Sequence, residues 1–310
     1  MESFLVSIVI ATYNHSNYIN KCIDSILSQE KKGFDIEIVI ADDCSTDNTQ
    51  EILENYKKKH PDIFKLILRK KNIGVPINSI GAWYLSSGKY MAIIDGDDYW
   101  KDNQKLINQV ALLEKNPHCN YVFSNYNILR EIDNKIISSN FPKEIPEYLD
   151  LHKLLSLNIM PASLTVVLRR SVLPKKLPDF CNKAFNFDWC FLFLFANDGL
   201  IGYLNSETGI YRRGVGIVSK TKNSYKFING LRTNVHLNKH TNYRFDYHIG
   251  KYEWHLQNIV YSLIEERNLA RSLYFLGKKI IISIKENSFN QFISKNLLFF
   301  KHSIKLIFKK

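Results

Sequence analysis

Three short runs dominated by apolar residues constrain this chain more than anything else in it: Val6 to Ala11, Ile36 to Ala41 and Tyr90 to Ile94. Runs of this length that barely alternate read as strands covered on both faces. Between them the period changes. Ile19, Cys22, Ile23, Ile26 and Leu27 recur at i, i+3, i+4, i+7 and i+8, an amphipathic helix, and Ile52, Leu53 and Tyr56 mark a second. Phe64 to Leu68 reads as another strand, Pro76 to Leu85 as a helix, Leu106 to Leu113 as a helix and Asn120 to Ser124 as a strand. Strand following helix in this order predicts an α/β fold, an open, mainly parallel sheet with helices on both faces. Such sheets bind ligands beyond the carboxyl ends of their strands. The polar clusters fall there: Thr12 to Asn14 after the first strand, Asp42 and Asp43 after the second, Asp95 to Asp98 after the fourth.

The alternation stops near residue 125. Arg130 to Pro146 reads as a loop or hairpin, Ser163 to Leu168 as a strand, Phe187 to Ala196 as a helix and Leu200 to Tyr211 as a pair of short strands. From Tyr225 the pattern is mostly helical, and no internal repeat or low-complexity linker interrupts it. Hydrophobic residues make up 45% and charged residues 23%, enough apolar material for a core and too much for disorder. No run approaches the roughly 18 uncharged apolar residues of a membrane span. The first residues, MESFLVSIVI, carry neither a basic leader nor a small-residue cleavage site, so no signal peptide is expected. Five scattered cysteines without a C-x-x-C pair suit a reduced, cytoplasmic protein.

The acidic clusters carry the chemistry. Asp95, Asp97 and Asp98 at a strand end offer hard oxygen ligands for Mg²⁺ or Mn²⁺, an ion that commonly bridges a carboxylate and a diphosphate. Gly96 lets the backbone turn there. Asp42 and Asp43 form a second cluster, which also suits a turn capping the next helix through Ser45 or Asp47. Two such clusters at neighbouring strand ends repel unless a cation or donor groups lie between them, and a ribose with a divalent cation meets that need. The first turn, ATYNHSNY, holds no glycine, which excludes both a dinucleotide-binding G-x-G-x-x-G and a Walker loop. It offers Tyr13 for stacking and Thr12 and Asn14 for hydrogen bonds to a nucleoside. Trp83, Tyr84 and the Phe191 to Phe195 run read as core, while Trp100 and Trp189 are either sugar-stacking platforms or packing residues. His236 and His240 lack a third metal ligand.

In order and spacing, VSIVIATYNHSNYINKCIDSILSQ, EIVIADDCSTDNT, NIGVPIN and GKYMAIIDGDDYW resemble the nucleotide-sugar half of family 2 glycosyltransferases, inverting enzymes of the GT-A fold. FNFDWCFLFLFANDG and TGIYRRGVGIVSK resemble the family's acceptor half. The resemblance implies a nucleotide-sugar-binding half over residues 1–125, an acceptor half over 126–220 and a helical basic extension over 221–310. It places Thr12, Tyr13 and Asn14 at the base pocket, Asp43 on the uracil or ribose, Asn72 and Gly74 near the ribose and diphosphate, and Asp95 and Asp97 as the D-x-D pair. Asp97, joined by Asp98, is the implied metal ligand for Mn²⁺ or Mg²⁺. Asp188 is the implied general base on the acceptor hydroxyl, although a first-turn aspartate also suits the helix dipole there. Arg212 or Arg213 would neutralise the diphosphate. Two positions depart from the family: Cys44 stands where glycine is common, and Phe187 where a second acid often precedes the base. An apolar neighbour would raise the pKa of Asp188.

The implied donor is a nucleotide sugar, a UDP-sugar in preference to GDP- or dTDP-linked ones. The implied acceptor is a glycan or lipid-diphosphate-linked sugar of a surface polysaccharide such as a capsule or O-antigen. The net charge of +12 sits mostly in one place, since Arg271 to Lys310 holds nine Lys/Arg against Glu286 alone. There Leu297, Phe300, Ile304 and Ile307 recur at helical spacing with Lys301, Lys305 and Lys309 on another face. This suits either a helix lying on the inner face of an anionic membrane or one docked on its own domain. A sugar nucleotidyltransferase is disfavoured by the missing glycine-rich loop. A nucleic-acid-binding protein is disfavoured because the charge does not spread over the folded body, so no nucleic acid is expected.

Overall fold

The computed structural model describes residues 4–139, 141–196, 198–245 and 252–266, with 268, 271, 272, 274, 275 and 278 beyond them. The amphipathic pattern read from Leu297 to Lys309 lies outside the described residues. The chain divides into two compact units, Met1–Lys183 with Phe187–Ser219, and Ala184–Asn186 with Lys220–Lys310.

The first unit is built on one sheet. Its strands are β1 (Phe4–Thr12), β2 (Phe34–Asp42), β3 (Phe64–Leu68), β4 (Tyr90–Asp95), β5 (Tyr99–Trp100), β6 (Cys119–Arg130), β7 (Lys135–Ser138), β8 (Tyr148–Leu149), β9 (Val167–Arg169) and β10 (Leu200–Arg213). They run β3-β2-β1-β4-β9-β6-β10-β5, with β7 beside β6 and β8 beside β10. The part from β3 to β4 is parallel throughout, as crossover helices demand. These helices are α1 (Ile19–Leu27), α2 (Thr49–Lys59) and α3 (Val75–Leu85). After α4 (Lys105–Lys115) the sheet becomes mixed, with the short α5 (Leu151–Ser156) ahead of β9: β9 is antiparallel to both neighbours, and β10 returns parallel to β6. Val6, Ile8, Ile10, Ile38, Ile40, Ala92 and Ile94 meet Cys22, Ile23, Ile26, Leu106 and Val110 in one buried cluster.

At the opposite end from the polar turns, the strand starts are held by a buried carboxylate. Glu37, 4% exposed, accepts hydrogen bonds from Ser7 Oγ and from the Ser87 amide and hydroxyl, and pairs with Lys65 at 2.6 Å. Burial opposes the charge, and these donors outweigh it, holding Glu37 below the ordinary carboxylate range. The backbone before β4 passes so close to β1 that a Cβ at Gly88 would lie 2.6 Å from the Leu5 carbonyl.

Several expectations change. Leu200 to Arg213 is one strand rather than two, because irregularities between Leu204 and Gly209 absorb the polar stretch without ending the ladder to β6. Ser163–Thr165 is a 3-10 turn, so only Val167–Arg169 forms a strand there. Residues 130–146 hold a hairpin, with β7 folded back on β6. Trp100 packs in the core, its Nε1 donating to the Leu164 carbonyl at 2.9 Å. Trp83 and the run of α6 (Phe187–Ala196) are buried, but Tyr84 is exposed and donates to the Pro174 carbonyl at 2.8 Å. The acidic clusters are not on adjacent strands: β1 lies between β2 and β4.

The second unit contains α8 (Asn223–His240) and α9 (Tyr252–Glu265), after the short α7 (Ile217–Lys220) at the boundary. Ile228, Ile259 and Leu263 form its core, with Phe227, Leu231 and Phe275 packed against it. Ser224 donates through its amide and hydroxyl to Glu266, at 3.1 and 2.6 Å. Among the described residues no helix is long and apolar enough to cross a membrane. Nor do His236 and His240 belong to any group of three potential metal ligands there.

One buried charge limits stability. Lys105 is fully buried, donates to Gln109 Oε1 at 2.5 Å and lies over the Trp100 ring at 4.5 Å. Burial drives its amine down to about 7. Above that pH the unfolded chain binds the proton and the folded one does not, so this group's contribution makes stability rise with pH between 7 and its ordinary 10.5. Lys105→Met is expected to raise stability by about 1–3 kcal/mol at pH 7 and to flatten the rise between pH 7 and 8.5, read by urea unfolding of both proteins.

Candidate active site

The parallel register sets the site. Thr12 pairs with Asp42 across one side of β1, and Ala11 with Asp95 across the other, so three polar turns emerge together. The first two are laced by hydrogen bonds. Asn14, at φ 55°, donates its amide to Ser45 Oγ at 2.8 Å and accepts from the Thr46 amide through Oδ1 at 2.7 Å. The His15 amide donates to Thr49 Oγ1 at 2.9 Å, and the Ser16 amide to Asp47 Oδ2 at 3.0 Å. Cys44 takes φ 64°, a left-handed conformation that glycine adopts freely and cysteine at a cost of about 1–2 kcal/mol.

Asp42 and Asp43 are satisfied by donors. Asp42 accepts from the Ser45 amide at 2.9 Å and Gln50 Nε2 at 2.6 Å. The two oxygens of Asp43 accept from the Ile73 amide at 2.7 Å and the Gly74 amide at 2.9 Å, and Asn72 Nδ2 donates to the Asp43 carbonyl at 3.2 Å. Asp43 and residues 72–74, distant in sequence, therefore form one structural group. Gly74 has φ 88° and opens α3. A carboxylate has about four acceptor sites, so Asp43 retains capacity for a further donor. Tyr13 is half-buried at the start of the first turn, directly after β1.

The second cluster is different in kind. Asp95 Oδ2 accepts from Ser163 Oγ at 3.0 Å, and Asp98 Oδ1 from the Arg212 amide at 2.8 Å. Asp97, 8% exposed, has His15 Nε2 at 3.9 Å. Burial raises all three: Asp95 to about 7, with repulsion from Asp97 next, Asp97 to about 6, and Asp98 well above the carboxylate range. Asp188, in the first turn of α6, accepts from the Trp189 amide at 2.8 Å; burial raises its pKa, and its charge is among those that raise Asp95. The four carboxylates thus share one electrostatic neighbourhood. Arg212 offsets Asp97 and Asp98 only in part, because its Nη1 donates to Glu131 Oε1 at 2.7 Å. Its guanidinium lies over Tyr18 and Tyr99, 5.1 Å from each ring centre, and its Nε is buried without a hydrogen-bond partner. Arg213, next along β10, is exposed.

Glycines hold the cluster against its neighbours. A Cβ at Gly96 would lie 2.9 Å from both His15 Nδ1 and Thr12 Oγ1. One at Gly216 would lie 3.2 Å from Asp97 Oδ2, so the segment after β10 returns over Asp97. Sequence reasoning did not find His15, Ser163, Tyr18, Tyr99 or Glu131. His15 had a signal in its place within the first polar turn; Ser163 and Glu131 reach the cluster only through tertiary contacts.

The cluster fits a divalent cation of one kind. Among the described residues no three His, Cys, Asp or Glu side chains gather as a protein-only metal cage. Asp95 and Asp98 already accept protein donors, and Asp97 is the least engaged carboxylate. Mg²⁺ and its kin take one or two carboxylates and fill the remaining positions with phosphate and water oxygens, which matches this set.

A family model described as "Glycosyl transferase family 2" matches residues 7–176. An uncharacterized protein of Mycobacterium tuberculosis is 34% identical over 209 residues, 67% of this chain and 58% of its own; the chain spans little more than half of that relative's length. The Escherichia coli protein named UDP-Glc:alpha-D-GlcNAc-diphosphoundecaprenol beta-1,3-glucosyltransferase WfgD is 29% identical over 294 residues, 94% of this chain and 98% of its own. Among solved structures, S. aureus TarS 1-349 in complex with UDP has a TM-score of 0.60 at 19% identity, over 85% of this chain and 71% of that one. Mannosyltransferase PcManGT from Pyrobaculum calidifontis, in complex with GDP-Man and Mn2+, has a TM-score of 0.56 at 13% identity, over 100% and 89%. These likenesses show the fold, which is GT-A. The family model covers more than half of the chain, including the two laced turns and the turn that carries Asp95, Asp97 and Asp98, and the chain belongs to glycosyl transferase family 2.

Proposed function

We propose that this protein is a metal-dependent inverting glycosyltransferase that moves a sugar from a nucleoside diphosphate to a hydroxyl of a lipid-diphosphate-linked glycan in surface polysaccharide synthesis. The observation that carries this reading is the contrast between the two acidic groups. Asp42 and Asp43 are satisfied by donors, whereas Asp95, Asp97, Asp98 and Asp188 share a buried site with too little positive charge. Such a site suits a ligand that brings cationic charge with it. The WfgD name, with UDP-Glc as donor and a diphosphoundecaprenol-linked sugar as acceptor, supports a UDP-sugar and a lipid-linked acceptor here.

In this reading Thr12, Tyr13 and Asn14 line the base pocket, and Asp43, with Asn72 and Gly74, meets the uracil or ribose. Asp97, with Asp98 beside it, holds Mn²⁺ or Mg²⁺, and Asp95 supports the diphosphate end. When bound, the cation supplies Lewis-acid stabilisation to the departing diphosphate. Arg212 adds fixed positive charge next to Asp97 and Asp98, and Arg213 lies further out. Asp188 takes the proton of the acceptor hydroxyl. The oxygen attacks the anomeric carbon as the bond to the nucleoside diphosphate breaks, the leaving group keeps the electron pair and the configuration inverts. Burial makes Asp188 a stronger base than an exposed aspartate.

Asp188→Asn is expected to leave donor affinity within two-fold while kcat falls about 10²–10⁴-fold. In wild type the acid limb of kcat against pH should lie above the ordinary aspartate value of 3.8, because only the ionised carboxylate accepts the proton. Asp97 should separate stability from binding. At pH 7.5 with chelator its charge is buried at a site that raises its pKa to about 6 from 3.8. Removing that charge in Asp97→Asn should stabilise the chain by about 1–3 kcal/mol. The same variant should lose the thermal shift that Mn²⁺ with UDP produces in wild type. A well-folded wild type unmoved by UDP-, GDP- or dTDP-sugars with either cation would overturn the donor-site assignment.

A further inference from the structure

The second unit holds a cavity of about 300 Å³ that plays no part in the reading above. One wall is α8, through Ile228, Leu231 and Arg232 at i, i+3 and i+4; the other is Arg271, Tyr274, Phe275 and Lys278, at i, i+3, i+4 and i+7. The floor is apolar: Ile228 belongs to the unit's core, and Leu231 and Phe275 pack against it. The rim is basic and aromatic. Arg232, Arg271 and Lys278 are exposed, Tyr274 is 58% exposed, and Lys278 Nζ lies 5.0 Å from the Tyr274 ring centre. Among the described residues no acidic side chain lines the cavity and no ion pair reaches these three cations.

Three cations facing one small cavity repel one another unless an anion sits between them. An inorganic anion would meet the rim and leave the apolar floor unused. A nucleic acid needs an extended basic track, and a cavity of this volume fits one head group. We infer that this cavity binds the phosphate-bearing end of a lipid, the phosphate held by Arg232, Arg271 and Lys278 and the first part of the chain laid against Leu231, Tyr274 and Phe275. Arginine suits such a contact because its planar fork meets phosphate oxygens two at a time. A bilayer phospholipid and a lipid-linked glycan carrier share this chemistry.

The test uses the full chain and sedimentation with vesicles of phosphatidylcholine alone, with added phosphatidylglycerol, or with added polyprenyl phosphate. Wild type is expected to bind one or both anionic vesicles and not the neutral one. Binding to phosphatidylglycerol identifies the bilayer as the source; binding to polyprenyl phosphate alone identifies the carrier lipid. Each of Arg232→Glu, Arg271→Glu and Lys278→Glu should weaken binding at least about five-fold, and the triple variant on the order of a hundred-fold. Tyr274→Ala should weaken vesicle binding about three-fold through lost apolar contact and leave inorganic pyrophosphate binding unchanged. A triple variant at the exposed Lys31, Lys32 and Lys58, each changed to Glu, alters the net charge equally and should bind like wild type. An equal loss in that variant would overturn the proposal in favour of general electrostatics. So would wild-type sedimentation of the cavity triple variant with a lowered melting temperature, which would mean that the chain itself fills the cavity, or binding of pyrophosphate without any vesicle. Donor-induced thermal shift in the same proteins reads the other site separately, so either reading can fail alone.

Discussion

The parallel pairing of β1 with β2 on one side and β4 on the other is the constraint from which the site follows. Parallel strands place all their carboxyl ends at one edge, and the register brings Thr12 beside Asp42 and Ala11 beside Asp95. A one-residue slip of either pairing would turn the flanking side chains to opposite faces and bury the wrong set. The apolar residues of the strands prevent that slip, since Ile8, Ile10, Ile38, Ile40, Ala92 and Ile94 are each packed in the core. The core and the site are therefore positioned by the same contacts.

Two groups of aspartates on that edge show how surroundings decide the role of one residue type. Asp43 accepts backbone amides from the loop before α3 and becomes part of the scaffold, tying two separated segments together. The cluster around Asp97 has the opposite balance, with burial raising every carboxyl and one arginine already shared with Glu131. A protein with only its own stability to maintain would replace such a group with neutral residues. Its presence beside a tightly laced, well-satisfied loop is the pattern expected where a fold is compromised locally for chemistry.

The first hundred or so residues were readable because burial on both faces leaves an unmistakable run and a crossover helix leaves a period. The stretch beyond residue 125 is less readable. In β10 the polar Asn205 to Thr208 stretch looks like a turn, and only long-range pairing to β6 shows that it is not. The turns at Thr12, Asp43 and Asp95 read as polar strand ends, but the place of β1 between the strands of the latter two does not show, because strand order is absent from local pattern. His15, Ser163 and Glu131 carry no local mark of their contacts with the cluster. Cys44 was visible as a departure, and its left-handed backbone gives the reason glycine is expected there.

The irregular middle of β10 has a consequence for aim. From Leu204 to Gly209 the strand advances five residues while β6 advances two, from Ser124 to Tyr126, so β10 carries three surplus residues there. Three is odd. An odd surplus inverts the parity of the strand, so that residues beyond it face the side that an uninterrupted ladder would have given to their neighbours. Arg212, half-buried over two tyrosines with its amide on Asp98, and Arg213, exposed, occupy their positions by that inversion. Losing one residue from this stretch would exchange the roles of adjacent side chains, whereas losing two would preserve them. Chain length in this segment is thus read modulo two, and that count is part of how the arginine is addressed to the acids.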